Sequence, residues 1–343
     1  MSSSVPSNVA KRLEKLNEKD PLIHLKAWID WEGFRPTLMK IREKKRKSNA
    51  GRKSFDVVMM FKALILQHVY QLSDEQTEYQ IRDRYSFCRF LEIAPSDRVP
   101  DAKTIWLFRE QLVKRDLIEC LFFDFNEQLK RRGYRARKGQ IVDASFVDVP
   151  RQRNKREENQ QIKAGEMPER FMKNPHVGAQ KDTDARWTKK NQDVHFGYKN
   201  HVVVDHQHKF IRNYEVTSAE VHDSNVFETL LTENTSKDVW ADSAYRSEQQ
   251  EASLKTKGYR SHVHKKGCRN HPLSERDQNA NRKKSTVRSR VEHVFGSITN
   301  EQGGLNFKVI GFARISAKIG LMNLVYNIRR LVTLHEMRLS IAG

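Results

Sequence analysis

Three acids stand out in a chain whose charge is otherwise strongly positive. Asp143 follows Ile141-Val142 inside a short β-branched run, Asp242 closes the run begun by Val239, and Glu292 lies one helical turn after Arg288. An acid inside a short apolar strand costs desolvation unless it is paired, hydrogen-bonded or bound to metal. Strand alternation can equally place Asp143 on a solvent edge. Glu292 with Arg288 also reads as an ordinary surface i,i+4 ion pair, worth about 0.2–0.5 kcal/mol. If the three converge, the chemistry they suit is transfer at a phosphodiester. Two Mg²⁺ ions about 3.5–4 Å apart activate an oxygen nucleophile and neutralise the phosphoryl and leaving oxygens, with hard carboxylate oxygens as ligands. Without such ions, clustered carboxylates repel and one pKa rises.

The elements that must position these acids follow from periodicity. Ile141 to Val149 is short, β-branched and ended by Pro150, which predicts a strand. Phe196 to Val204 and Lys209 to Val216 predict an antiparallel hairpin across Asp205 to His208. Asp238 to Asp242 predicts a short strand ending in an acid, Glu248 to Lys257 a helix closed by Gly258, and Tyr259 to Val263 another strand. Asp223 to Leu231 reads as a helix. From Asp277 to Thr299 a helical stripe runs through Val287, Val291, Val294 and Ile298. At 100° per residue Glu292 sits about 120° from its centre, where it could face a crevice beside the sheet. A last amphipathic helix covers Ala313 to Met337. These elements make an α/β (α+β) core. Arg151 to Asp193 is polar and long for a plain loop, a stretch that could close over a ligand or order in a complex.

The first 135 residues are mostly helical: Phe55 to Tyr70 as a buried helix, two short helices in Glu75 to Leu91, one from Ala102 to Leu112 capped by Asp101, and one from Leu117 to Arg132 stopping at Gly133. This pattern is compatible with a helix-turn-helix module and equally with domains that bind nothing. Domain boundaries at 1–135 and 136–338 follow, with the polar insertion at about 151–193.

The 343 residues carry 63 Lys and Arg against 43 Asp and Glu, a net charge of +20. It divides evenly, +10 in residues 1–140 and +10 in 141–343. Such a balance favours a polyanion, nucleic acid first, without saying whether it is bound or cut. A hydrophobic content of 37% excludes wholesale disorder, although the mean hydropathy is −0.77. Three cysteines cannot form a disulfide framework, and a reducing compartment is the default. The start has no signal-peptide h-region, and no window approaches a membrane span.

Six segments then occur in order: IVDASFVDVPRQRNKREEN, KDTDARWTKK, HFGYKNHV, VHDS, VWADSAYRS and RSRVEHVFG. Together they resemble a bacterial insertion-sequence transposase of the DDE class, of the insertion-sequence-five type. FDVVMMFKALILQHVYQLSDEQTEYQIRDRYSFCRFLEI resembles the helical N-terminal domain of these proteins, so the likeness spans nearly the whole chain. It implies an RNase H-like mixed sheet with flanking helices, the triad falling on Asp143, Asp242 and Glu292. Many relatives carry Tyr-x₂-Arg-x₃-Glu-x₆-Lys around the last acid. Here Arg288 and Glu292 match, whereas the Tyr position is Ser285 and the Lys position Thr299, which leaves roles assigned through that missing pair open.

The resemblance implies two Mg²⁺ ions (with Mn²⁺ substituting) held by the three acids, cleavage by water at the element's ends, and attack of the freed 3′-OH on target DNA. It implies double-stranded DNA partners (terminal inverted repeats and target), a homodimer in the synaptic complex, and a cytoplasmic, nucleoid-associated bacterial protein. No nucleotide cofactor is expected, as no G-x₄-G-K-[ST] motif occurs. Lys199 and Arg288 could contact phosphate or orient the acids. His222 and Asp223 could cap the following helix or support the site. Lys44, Lys45, Arg46, Lys47, Lys189, Lys190, Arg282, Lys283 and Lys284 are candidate DNA contacts, and Trp187 could stack on an unpaired base. His262, His264, Cys268 and His271 are zinc-type ligands at a spacing unlike a paired knuckle. Two other readings stay open: a non-catalytic DNA-binding repressor or architectural protein, and a nuclease that cannot join strands.

Overall fold

The computed structural model describes residues 20–43, 53–94, 96–190, 192–267 and 271–342. They fall into two compact units, one running to Gln128 and taking in the chain from Asn327, the other being Leu129–Tyr326. Among the described residues no helix is long and apolar enough to cross a membrane.

The first unit is helical. Val57–Val69 is buried at every position from Val57 to Gln67, and Asp56 caps it by accepting from the Val58 and Met59 amides. Asp74–Asp83 opens on a capping box formed by Ser73 and Gln76, and Tyr85–Leu91 follows directly. Asp101 caps Ala102–Lys114, and Leu117–Arg131 ends before Gly133, whose φ is +82°. The core holds an aromatic cluster, with Phe34 and Phe61 rings 5.0 Å apart and Trp31 and Phe90 5.4 Å apart.

The second unit is built on a six-stranded mixed sheet: β1 (Gln140–Asp148), β2 (Arg186–Lys190), β3 (Asp193–Asp205), β4 (Ile211–Ser218), β5 (Asp238–Ala241) and β6 (Arg260–Ser261). The order is β2-β3-β1-β5-β6, with β4 pairing β3. β1 is antiparallel to β3 and parallel to β5, so this is a mixed sheet flanked by helices, preceded by a largely helical region. The β3–β4 turn is closed by Asp205, which accepts from the His208 and Phe210 amides and pairs with Arg212 at 3.2 Å. One face of the sheet carries an apolar cluster of Val142, Val203, Phe227, Val239, Ala241 and Tyr245.

The expected strand at 259–263 is only two residues long. Its hydrogen bonds nevertheless continue, from His262 N to Val239 O and from His264 N to Ala241 O. The stretch read as Asp223 to Leu231 begins as a 3₁₀ turn, Asp223–Val226, before Phe227–Leu230. The polar insertion holds three short helices, Arg156–Lys163, Glu169–Lys173 and Pro175–Gly178, and β2. Isolated apolar anchors (Ile162, Phe171, Ala185) are too sparse there to give a readable period. A buried acid supplies what apolar periodicity lacks. Asp182 accepts from the Asp184, Ala185 and Gly311 amides and from the Tyr198 hydroxyl at 2.6 Å.

Gly197 sits where β1, β2 and β3 meet, at φ +152°. A Cβ there would overlap the Val147 carbonyl oxygen, so backbone approach as well as φ demands glycine. Gly197→Ala is expected to cost about 1–3 kcal/mol in urea unfolding.

Candidate active site

Strand register brings two of the acids together. The last paired residues of β1 and β5 are Val142 and Ala241, both in the apolar cluster. The next residues are Asp143 and Asp242, which alternation turns to the opposite face. Asp242 keeps an extended backbone and caps the 3₁₀ turn Ser243–Tyr245, its Oδ1 accepting from Ser243 N at 2.5 Å. Asp143 Oδ1 accepts from Ala144 N, and Oδ2 receives Arg288 Nη1 at 2.8 Å.

Arg288 comes from the helix Glu275–Glu301, which Ser274 caps and which buries Val291, Val294 and Ile298. That stripe is the one read from the sequence, with Val287 half-buried at its start. It aims Arg288 at the sheet and leaves Glu292 exposed, its Oε1 3.7 Å from Arg288 Nη2. Arg288 therefore links Asp143 to Glu292, while Asp242 adjoins Asp143 directly. Among the described residues no group of three or more His, Cys, Asp or Glu side chains is gathered closely enough to hold a metal ion. The three acids are thus a pair plus a third joined through a guanidinium.

Burial pushes the Asp143 carboxyl up to about 6, against the Arg288 charge and the Ala144 amide, and with help from the negative charge of Asp242. Two hard oxygen donors side by side, one of them costly to ionise, are a donor set suited to a divalent cation. Among the described residues, the buried Ser145 Oγ, Arg288 Nε and Tyr245 Oη have no hydrogen-bond partner. Tyr245 escaped the sequence reading although it lies in the VWADSAYRS segment; a tyrosine three residues after an acid reads simply as core.

His264 also takes an unexpected place. Its Nδ1 is 3.9 Å from Asp242 Oδ1 and its Nε2 3.4 Å from the hydroxyl of Ser285. Burial first, then the Arg288 charge, lowers its pKa. His262 instead bonds Asp238 at 2.8 Å and stacks on Trp240. His262 and His264 of the zinc-type cluster thus have separate partners, and Cys268 lies outside the described residues.

The other candidates separate by environment. Lys199 is buried, donating to Val221 O and Asp223 Oδ1, each at 2.7 Å. His222 caps the turn that follows, accepting from Ser224 N. Lys189, Lys190, Arg282 and Lys283 are exposed, whereas Lys284 is turned inward onto Val263 O at 2.9 Å. Trp187 is 48% exposed, tilted against Phe196, with the Arg151 guanidinium 5.6 Å from its ring. Lys44, Lys45, Arg46 and Lys47 lie outside the described residues.

A family model described as a transposase DDE domain matches residues 134–328, the whole stretch carrying the sheet and the three acids. The chain belongs to the DDE transposase family. A second model, a transposase domain (DUF772), matches residues 11–111 in the helical region. Among solved structures, a cryo-electron microscopy structure of a piggyBac transposase synaptic complex with hairpin DNA is remotely similar: 11% identity and a TM-score of 0.44, over 92% of this chain and 75% of that one. Family membership makes the chain a DNA transposase in the general sense and an enzyme.

Proposed function

We propose that this DDE transposase cleaves phosphodiesters at the ends of an insertion sequence and joins the freed 3′-OH ends to target DNA, using Asp143, Asp242 and Glu292 with two Mg²⁺ ions. The observation that carries this reading is the placement of Asp143 and Asp242 side by side at the end of the β1–β5 pairing, with Arg288 linking Asp143 to Glu292. Bound there, Mg²⁺ (or Mn²⁺) supplies charge neutralisation at the phosphoryl and leaving oxygens and acidifies the attacking water.

The chain's own residues do the rest. Asp143 and Asp242 would hold the cations, with Glu292, beside Arg288, as the third acid. Arg288 keeps the acids from repelling one another before DNA arrives. Lys199 fixes the loop that carries Asp223 beside the site. Exposed Lys189, Lys190, Arg282 and Lys283 face the phosphate backbone, and Trp187 offers a face to an unpaired base. Each step breaks one P–O bond and forms one, first to water and then to the 3′-OH, so bond number is conserved on joining and no nucleotide cofactor enters. The helical region of residues 1–135 holds the terminal repeats, residues 136–338 carry the chemistry, and a homodimer pairs two ends in the cytoplasm.

The deciding experiment incubates the protein with labelled element ends, Mg²⁺ and supercoiled target plasmid. Joined products are expected. Cleaved but unjoined ends would leave a nuclease, and binding without cleavage a repressor or architectural role. Because basic surface occurs in both halves of the chain, affinity for the ends is also expected to fall at least about 100-fold between 50 and 200 mM salt in a filter-binding titration.

A further inference from the structure

Tyr245 is fully buried, 1% exposed, yet among the described residues its hydroxyl has no hydrogen-bond partner. A buried O–H left without an acceptor destabilises the fold, so a phenylalanine of the same shape would serve the core better. The ring itself is well housed. It packs on Phe227 at 5.3 Å, within the apolar cluster beneath β1 and β5. The oddity is therefore confined to one oxygen.

The turn that carries it adjoins the acids. Asp242 begins the same 3₁₀ turn that ends in Tyr245, and the turn carrying Asp223 packs against it. Burial first, then the charges of Asp223, Asp143 and Asp242, drives the ionisation of the phenol far upward, so it stays a neutral donor. The acids differ in what they can accept. Asp143 uses both oxygens, on the Ala144 amide and on Arg288, and Asp223, although its Oδ2 is open among the described residues, is anchored through Oδ1 by the Lys199 ammonium. Asp242 uses only Oδ1, on the Ser243 amide and facing His264, and its second oxygen receives no donor among the described residues.

We propose that Tyr245 is a positioning residue of the acid pocket, its hydroxyl donating to the free carboxylate oxygen of Asp242 when that carboxylate turns to bind a divalent cation. This rests on the assignment of Asp242 as a cation-holding acid. A hydrogen bond to a ligating carboxylate fixes its orientation, and loss of such an outer-shell bond typically weakens metal binding about 10–100-fold. Burying this donor without a partner gives up stability for that orientation.

The test titrates Mn²⁺ against wild type and Tyr245→Phe, reading the melting temperature of the full chain with no DNA present. The variant is expected to melt at least as high as wild type without Mn²⁺, and to bind Mn²⁺ about 10-fold more weakly. A lower metal-free melting temperature would show that the hydroxyl already has a partner, and overturn the role. Equal Mn²⁺ affinity in the two proteins would overturn it too, leaving the acids untouched. A wild type that Mn²⁺ does not stabilise would sink the reading of Asp242 itself, and the role of Tyr245 with it.

Discussion

Asp242→Ala is expected to lower metal-dependent cleavage of a labelled element end by at least about 1,000-fold, some 4 kcal/mol of transition-state stabilisation. Its DNA affinity at fixed salt should stay within about threefold of wild type, because the contacts that grip phosphate come from the basic surface rather than from the acids. The fold tolerates the change. The Asp242 side chain is 38% exposed, accepts from the Ser243 amide and faces His264 at 3.9 Å, with no Lys or Arg paired to it among the described residues. Removing it forfeits one capping hydrogen bond, about 1 kcal/mol. A variant that melts near wild type, binds DNA and does not cleave isolates the carboxylate as the cause. Asp143→Ala and Glu292→Ala should lose cleavage as well. Persistent cleavage in any of the three would remove that residue from the active set.

The pairing of Asp143 with Asp242 was half legible. Each acid could be seen at the end of an apolar run, and Ile141-Val142 and Val239-Trp240-Ala241 have the β-branched or bulky composition of interior strands. That these strands are parallel neighbours in a register that aligns the acids depends on a crossover of about ninety residues, which no local pattern encodes. The Glu275–Glu301 helix was legible from its valine stripe, and so was the turn separating Arg288 from Glu292. What could not be read is that Arg288 crosses to Asp143, 145 residues away in sequence. Lys199 and Lys284 show a further limit. A lysine in a basic segment looks like a phosphate contact, but burial has turned one onto Asp223 and the other onto the Val263 carbonyl. In the polar insertion, Asp182 orders the chain through four hydrogen-bond donors, and a hydrophobic period cannot reveal an anchor that is itself an acid.

Asp143→Asn is expected to stabilise the metal-free protein at pH 7.5 by about 2–3 kcal/mol, read from urea unfolding at several pH values. In the folded chain burial holds the Asp143 carboxyl near 6, whereas the unfolded chain returns it to about 3.8. Between those values the folded state binds a proton that the unfolded state has released. Stability attributable to this group is thus fully present below about pH 4, falls as pH rises toward 6, and is lost above it. The gap of about two pH units corresponds to about 3 kcal/mol, and Asn mimics the protonated form at every pH. Wild type and variant should therefore agree near pH 4 and diverge between about pH 4 and 6. The Arg288 ion pair at 2.8 Å opposes this trend but does not reverse it, since desolvation outweighs that charge. Should the variant be less stable than wild type at pH 7.5, the ion pair would be the dominant force and Asp143 an ordinary structural acid. A gain in stability, accompanied by loss of cleavage, is what a carboxylate kept for chemistry at the expense of the fold requires.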